Sequence, residues 1–353
     1  MVTAVARGSH PYFQLDMHWH SSPLGRVTPT LLLATLACSG DSATGPRIEV
    51  GTRLELTTVG LPALDPAREG SYEAWVVDAD GRAYSAGRFT PTGAVTLQSP
   101  IAAPDAFEIT IERPGDSDDR QSEQRLLRGR LRGTGADLAI AGAVTQGDLS
   151  LRTNPGTFTM FSPSDNSWAG YPSNEDAGVW LFNVRPRETQ QNDAWVRLTQ
   201  LQSGWTYEGW MVRDFGTPAA IWLSYGKFVP DRTGAVSGRD DTGWGAFSGV
   251  LDFRTAGEEE FPGDDWISNP LDFPFPAALT LPLDLREKTA TGASRWTHVI
   301  TIEPAWNRGE AIGSELPSFM RPYHDPFGDG GPSIPRTITF RSETVPSGRV
   351  DVR

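Results

Sequence analysis

His298 and His324 are the only histidines of this chain beyond residue 20, and a zinc site would need them joined to further ligands at short spacing. They are not so placed. His298 lies in an alternating apolar segment between Trp296 and Val299, which reads as an ordinary strand position. Asp78-Ala79-Asp80-Gly81 carries half of a calcium-loop pattern. The third carboxylate and the closing glutamate are missing, so a hairpin turn explains it. Asp325 and Asp329-Gly330 form a similarly incomplete pair. Asp240-Asp241 and Asp264-Asp265 are adjacent pairs whose side chains diverge in an extended chain. Acid–base chemistry needs carboxylates set at defined separations across a cleft. No Gly-x-Ser-x-Gly elbow, His-Glu-x-x-His helix or phosphate-binding loop is present. The expectation is a protein that is not an enzyme and uses no metal or cofactor.

The one cysteine has a different chemistry. Residues 27–37 read VTPTLLLATLA, too short to span a bilayer as a stable helix but suited to the apolar core of a secretory signal. Ala37 precedes Cys38, and Ser39-Gly40-Asp41-Ser42 follow. The arrangement resembles the lipobox of bacterial lipoproteins, although Thr35 stands where leucine is usual. That resemblance implies that Cys38 is lipidated and becomes the first residue of the mature chain. The plainer alternative is a buried cysteine at the end of a strand. Residues 1–16 include Asp16 and several aromatics, whereas initiation at Met17 gives a compact leader with Arg26 just before the apolar core. A single thiol leaves no partner for a disulfide within the chain.

Trp222, Trp244 and Trp266 are the remaining candidates, because aromatics on loops can stack on sugars or anchor a partner protein. Packing of a large loop is the plainer explanation. These tryptophans stand out against an internal echo. Ser71-Tyr72-Glu73-Ala74-Trp75-Val76-Val77 returns as Thr206-Tyr207-Glu208-Gly209-Trp210-Met211-Val212. Gly87-Arg88-Phe89-Thr90 returns as Gly226-Lys227-Phe228-Val229, and Gly93-Ala94-Val95 as Gly234-Ala235-Val236. Ile109-Thr110-Ile111-Glu112 returns as Ile300-Thr301-Ile302-Glu303. Four blocks in one order indicate two copies of a β-rich unit. Glu73/Glu208 and Glu112/Glu303 recur with it and read as structural acids that hold turns. Trp75 and Trp210 alternate with apolar neighbours and read as core.

The elements that position these residues are short alternating runs broken by Gly, Pro, Asn and Asp. They fit an all-β protein of two tandem antiparallel β-sandwich-like repeats after a signal peptide. The division is a signal peptide at 1–37, a tether at 38–47 and repeat one at 48–160. A connecting segment with a strand near Val179 follows at 161–193. Repeat two occupies 194–322 with a long insertion at 237–295, and a tail runs over 323–353. Strands are expected over 53–59, 72–77, 82–89 and 106–112, with Gly81 in a left-handed turn position. Further short runs fall at 126–131, 138–144, 149–151 and 158–161. A helix over 122–131 is the alternative there, disfavoured by Gly129 and Gly133. The tail is expected to add one edge strand at 337–340. The 28 prolines, 37 glycines, 12 tryptophans and 16 phenylalanines among 353 residues suit such a turn-rich, aromatic-cored protein. A net charge of −13 disfavours nucleic acid and anionic headgroups as partners.

The segment GLPALDPAREGSYEAWVVDADGRAYSAGRFT, continuing to AFEITIERPG, resembles the extracytoplasmic C-terminal domain of anti-sigma-K factors. Tyr72, Trp75, Gly87, Phe89, Phe107, Ile109, Ile111, Glu112 and Pro114 occupy that pattern, with Arg113 intervening before the proline. Tyr207, Trp210, Gly226, Phe228, Ile300, Ile302, Glu303 and Pro304 repeat it. The resemblance implies an outer-domain β fold in an extracytoplasmic compartment. A sigma-binding helical domain and a transmembrane helix, which such factors carry, are not read in this chain. The expected role is a non-enzymatic interaction or envelope-sensing module, lipid-anchored at Cys38, with an envelope protein as partner and membrane contact through the anchor only. The alternative is a carbohydrate- or ligand-binding envelope protein that engages polysaccharide through the Trp/Asp-rich insertion.

Overall fold

Alternation of apolar and polar residues decides which strands face water. Strand β1 (Arg53–Val59) buries Leu54 and Leu56 and turns its other side outward, as a period-two strand with one covered face must. Strands β2 (Ser71–Val77) and β5 (Ala106–Glu112) are buried along almost their whole length, although the face shared by Glu73, Glu108, Thr110 and Glu112 is largely polar. The computed structural model describes residues 48–160, 176–179, 181, 196–230, 275–307, 317–332 and 334–353.

Within them the order continues with β3 (Ala83–Phe89), β4 (Val95–Gln98), β6 (Arg125–Arg130), β7 (Gly135–Leu138) and β8 (Gly156–Phe158). Then come β9 (Trp205–Arg213), β10 (Ile221–Phe228), β11 (Trp296–Pro304), β12 (Tyr323–Pro326), β13 (Arg336–Ile338) and β14 (Ser347–Val352). Every pairing between these strands is antiparallel. Two four-stranded sheets have the orders β3-β2-β5-β6 and β10-β9-β11-β12. A third has the order β4-β1-β14-β7, and β13 pairs with β8. One hydrophobic cluster draws on all of these sheets, from Leu54 and Tyr72 to Tyr207, Ile302 and Val350.

The first two sheets are built alike. Tyr72 lies between Phe89 and Ile111, and Tyr207 lies between Phe228 and Ile302. Both hairpins carry an irregularity at the same place, which leaves Ala86 and Tyr225 as the extra residues. The indole N–H of Trp75 donates to Thr110 Oγ1 at 2.8 Å, and that of Trp210 to Thr301 Oγ1 at 2.9 Å. Each threonine hydroxyl then donates to a carboxylate two residues on, Glu112 or Glu303. Each of these carboxylates accepts a backbone N–H from the segment leading to the next strand, from Ser122 or Ser318. Ser85 and Ser224 donate in the same way to Glu73 and Glu208. Burial pushes the Glu112 carboxyl above its ordinary range, and the bonds from Thr110 and Ser122 oppose that rise.

These threonines satisfy an indole N–H and a carboxylate at once, both inside the sheet. Thr110→Val and Thr301→Val are therefore each expected to lower the unfolding free energy by about 2 kcal/mol, the cost of orphaning a buried donor. Urea denaturation reads the loss, and unchanged midpoints in both variants would remove the threonines from any structural role.

Several expectations need correction. Residues 149–151 form not a strand but part of a 3-10 turn, Leu149–Arg152, whose start is capped when Asp148 accepts from Ser150 N–H at 2.8 Å. Only Leu149 is buried there, while Leu151 stays 82% exposed, so no strand face exists. Residues 138–144 are mostly turn, because β7 starts earlier and ends at Leu138. The 122–131 segment is strand β6 from Arg125, and no helix forms. Val179 and Leu181 are buried, but neither sits in a strand. The tail contributes three strands instead of one. β12 edges the second sheet, β13 joins β8, and β14 lies inside the third sheet, pairing Val350 with Leu56 on one side and Ala136 on the other.

Candidate recognition surface

The two similar sheets differ on the side that carries Trp75 and Trp210. In the first, Glu108 follows Phe107 on β5 and is held at 3.4 Å by Arg125 and 3.2 Å by Arg128, with Gln121 donating at 2.8 Å. In the second, Val299 occupies the matching register, and the neighbours become aromatic. Trp222 pairs with Val212 where Ala83 pairs with Val77. Its ring meets Trp210 edge-on at 5.7 Å and Phe215 at 5.7 Å. The Arg321 guanidinium sits 4.6 Å over the Trp222 ring, a favourable cation–π distance. His324 adds a tilted contact with Phe215 at 4.9 Å. Trp222, Phe215, Arg321 and His324 are all half-buried.

Local chemistry fixes this cluster. Phe215 occupies the β9–β10 turn, where Asp214 takes a left-handed conformation at φ 57°. Arg295 binds both carboxylate oxygens of Asp214, and Arg213 binds Glu287 at 2.9 and 2.7 Å. Arg295 also reaches Glu287 at 2.8 Å. Arg295 thereby holds the Asp214 carboxyl below its usual range, and Arg213 does the same for Glu287. Burial lowers the His324 imidazole, with Arg341 and Arg321 adding to the effect and Glu343 opposing it. Burial likewise lowers Arg321 against the pull of Glu303. The cluster therefore offers aromatic edges and one stacked cation.

Of the tryptophans expected to form a surface, Trp222 lies in β10, half-buried and packed among Trp210, Phe215 and Arg321. Trp244 and Trp266 lie outside the described residues, as does Cys38. Phe215 and Arg321 were not legible as site residues, and His324 carried only a metal reading. Arg321 does have a sequence signal, since Ser318 to Arg321 aligns with Ser122 to Arg125 once the Glu112/Glu303 bonds are matched. Asp240-Asp241 and Asp264-Asp265 also lie outside the described residues, while Asp78, Asp325 and Asp329 are otherwise engaged. Asp78 accepts the N–H groups of Asp80 and Arg82 across its own turn, where Gly81 has φ 82°. Asp325 faces Arg341 at 2.9 Å, and Asp329 faces Lys288 at 2.6 Å. Among the described residues no group of three or more His, Cys, Asp or Glu is placed to hold a metal ion. Among them, too, no helix is long and apolar enough to cross a membrane.

Fold and surface together define an all-β protein with antiparallel, sandwich-like sheets. Residues 25–124 match the sequence model of the family described as anti-sigma-K factor RskA, C-terminal. Within the described residues that stretch covers β1 to β5. No curated protein and no solved structure matches the chain.

Proposed function

We propose that this chain is a lipid-anchored, extracytoplasmic recognition protein without catalytic activity, assembled from two copies of an anti-sigma-K-type outer domain. The reading is carried by one observation: a second sheet that keeps the Trp–Thr–Glu hydrogen bonds of the first but exchanges its Glu108–arginine lattice for the Trp222, Phe215, Arg321 and His324 cluster. Duplication preserves the scaffold, and one copy takes on a contact surface. The partner is an envelope protein, docking on the aromatic cluster. Enclosure of the Trp222 ring by Arg321, Trp210 and Phe215 suits a protein partner better than a sugar, which needs an open ring face.

The anchor is tested by growth with radiolabelled fatty acid and fractionation of wild type and Cys38→Ala. Label in the membrane pellet that disappears in the variant is the expected result. Equal labelling of both proteins, or a wild type recovered in the soluble fraction, would overturn the anchor and with it the assigned compartment.

A further inference from the structure

A cleft of about 450 Å³ opens where corresponding ends of the first two sheets meet. Arg113 follows β5, Glu123 and Gln124 precede β6, and residues 201–205 lead into β9. Val229 follows β10, and Ala305 and Trp306 follow β11. Its size lies within the range of small-molecule sites. The walls are tied across the junction. Trp205 Nε1 donates to Arg125 O at 3.0 Å, Gln124 Nε2 to Gly204 O at 3.0 Å, and Ala305 N to the same carbonyl at 2.7 Å. Gly204 has φ +92°, and a Cβ there would press on Glu123 O at 2.8 Å, so the close approach of the two walls requires glycine.

The lining has a definite chemistry. Gln124 is 2% exposed, and its Oε1, an acceptor, has no hydrogen-bond partner. Its amide cannot turn to remedy this without losing the Nε2 bond to Gly204. A buried acceptor left unpaired costs about 1–3 kcal/mol, and this one is closed off from the cleft, so the accessible polar groups of the lining are those of Gln202 and Ser203. At the rim an exposed cation, Arg113, and an exposed anion, Glu123, offset each other and leave no net preference for a charged ligand. Trp306 is half-buried, with the Arg113 guanidinium 5.8 Å from its ring, and Val229 is exposed beside it. An aromatic platform, accessible hydrogen-bonding side chains at Gln202 and Ser203, and balanced charge match the C–H and O–H groups of a pyranose.

We propose that this junction cleft binds a neutral saccharide, with Trp306 as the platform and the Gln202 amide and Ser203 hydroxyl hydrogen-bonding to its hydroxyls. The site is separate from the aromatic cluster around Trp222, and neither stands or falls with the other.

The full chain is titrated with cellobiose and with N,N′-diacetylchitobiose, following tryptophan fluorescence and heat of binding. Saturable binding of at least one disaccharide is expected, weakened about tenfold or more in Trp306→Ala and unchanged in Trp222→Ala. Should Trp306→Ala fail to fold, Trp306→Phe is expected to retain binding at reduced affinity. No saturable signal from either sugar up to about 10 mM, a concentration that detects even millimolar affinity, would overturn the proposal. So would affinity that is unaltered in folded Trp306→Ala, or in Trp306→Phe where that is the variant measured.

Discussion

Gly209→Ala is expected to destabilise the protein by about 3 kcal/mol or more, the upper range for overpacking a close-packed interior. A Cβ built on Gly209 would lie 1.7 Å from Tyr225 Cζ, because the phenol ring lies flat over the backbone of β9 at that point. Tyr225 cannot yield. It is fully buried, stacked at 9° to Phe228 and at 18° to His298, and its hydroxyl lies 2.8 Å from His298 Nε2. The first sheet solves the same packing problem in reverse. Ala74 stands in the place of Gly209, Ala86 in that of Tyr225, and Phe107 in that of His298. The clash should therefore vanish when the ring is removed. Gly209→Ala combined with Tyr225→Ala is expected to cost less than the sum of the single variants, by about 1–3 kcal/mol of coupling. Adding His298→Phe completes the first sheet's set and removes the imidazole nitrogen orphaned by loss of the phenol. Urea denaturation of the single, double and triple variants measures the cycle. Strict additivity would mean that the ring does not depend on the missing side chain.

The same three positions show what a sequence of this kind reveals and what it hides. The echo between 71–77 and 206–212 locates β2 and β9, and Ile109 to Glu112 with Ile300 to Glu303 locates their partners β5 and β11. Local alternation and turn residues suffice to place these strands, whereas the pairings β2–β5 and β9–β11 join strands that are not neighbours in the chain. Gly209, Tyr225 and His298 are also visible as departures from the echo, but their mutual contact is not, because nothing in the sequence says that the extra hairpin residue points inward. Strand β14 is hidden for another reason. Val352 pairs with Leu54 and Asp351 with Glu55, and no periodicity within a six-residue strand can name a partner so far away in sequence. The Trp222 surface lies between these extremes. Trp222 stands out as an aromatic where the first copy has Ala83, whereas Arg321 and His324 join it only because β12 edges the second sheet. Leu149–Arg152 misleads because two leucines at alternate positions imitate a strand, while Asp148 decides the local geometry through a backbone bond.

Acidification below about pH 6.5 is expected to destabilise the protein through His298. The imidazole is fully buried, 4.4 Å from the ring of Phe158 and stacked on Tyr225, and burial holds its pKa down to about 3. Burial also pushes the Tyr225 phenol well above its ordinary value. The phenol thus keeps its proton and shares a hydrogen bond with Nε2 of a neutral His298. The nearest acid in register, Asp325 on β12, is already engaged by Arg341 and by the Thr339 N–H. In the unfolded chain the same imidazole takes up a proton near pH 6.5. The folded state binds that proton far less readily, so its stability is complete above pH 6.5 and falls as pH drops toward 3. The limiting slope is about 1.4 kcal/mol per pH unit, which makes the loss about 2–3 kcal/mol at pH 4.5. Glu112, Asp176 and Asp325 act in the opposite sense, because burial raises their carboxyls and protonation relieves a buried charge. Their ordinary range lies near pH 4, so the interval from 6.5 to 5 belongs mainly to histidine. His298→Phe with Tyr225→Phe removes the imidazole and the hydroxyl together and leaves no orphaned partner. Denaturation midpoints of wild type and this variant should converge as pH falls from 7 to 5, since both keep the protonation cost of His324 and only the wild type adds that of His298. Curves that stay parallel over that interval would show that the buried imidazole does not set the acid sensitivity of the fold.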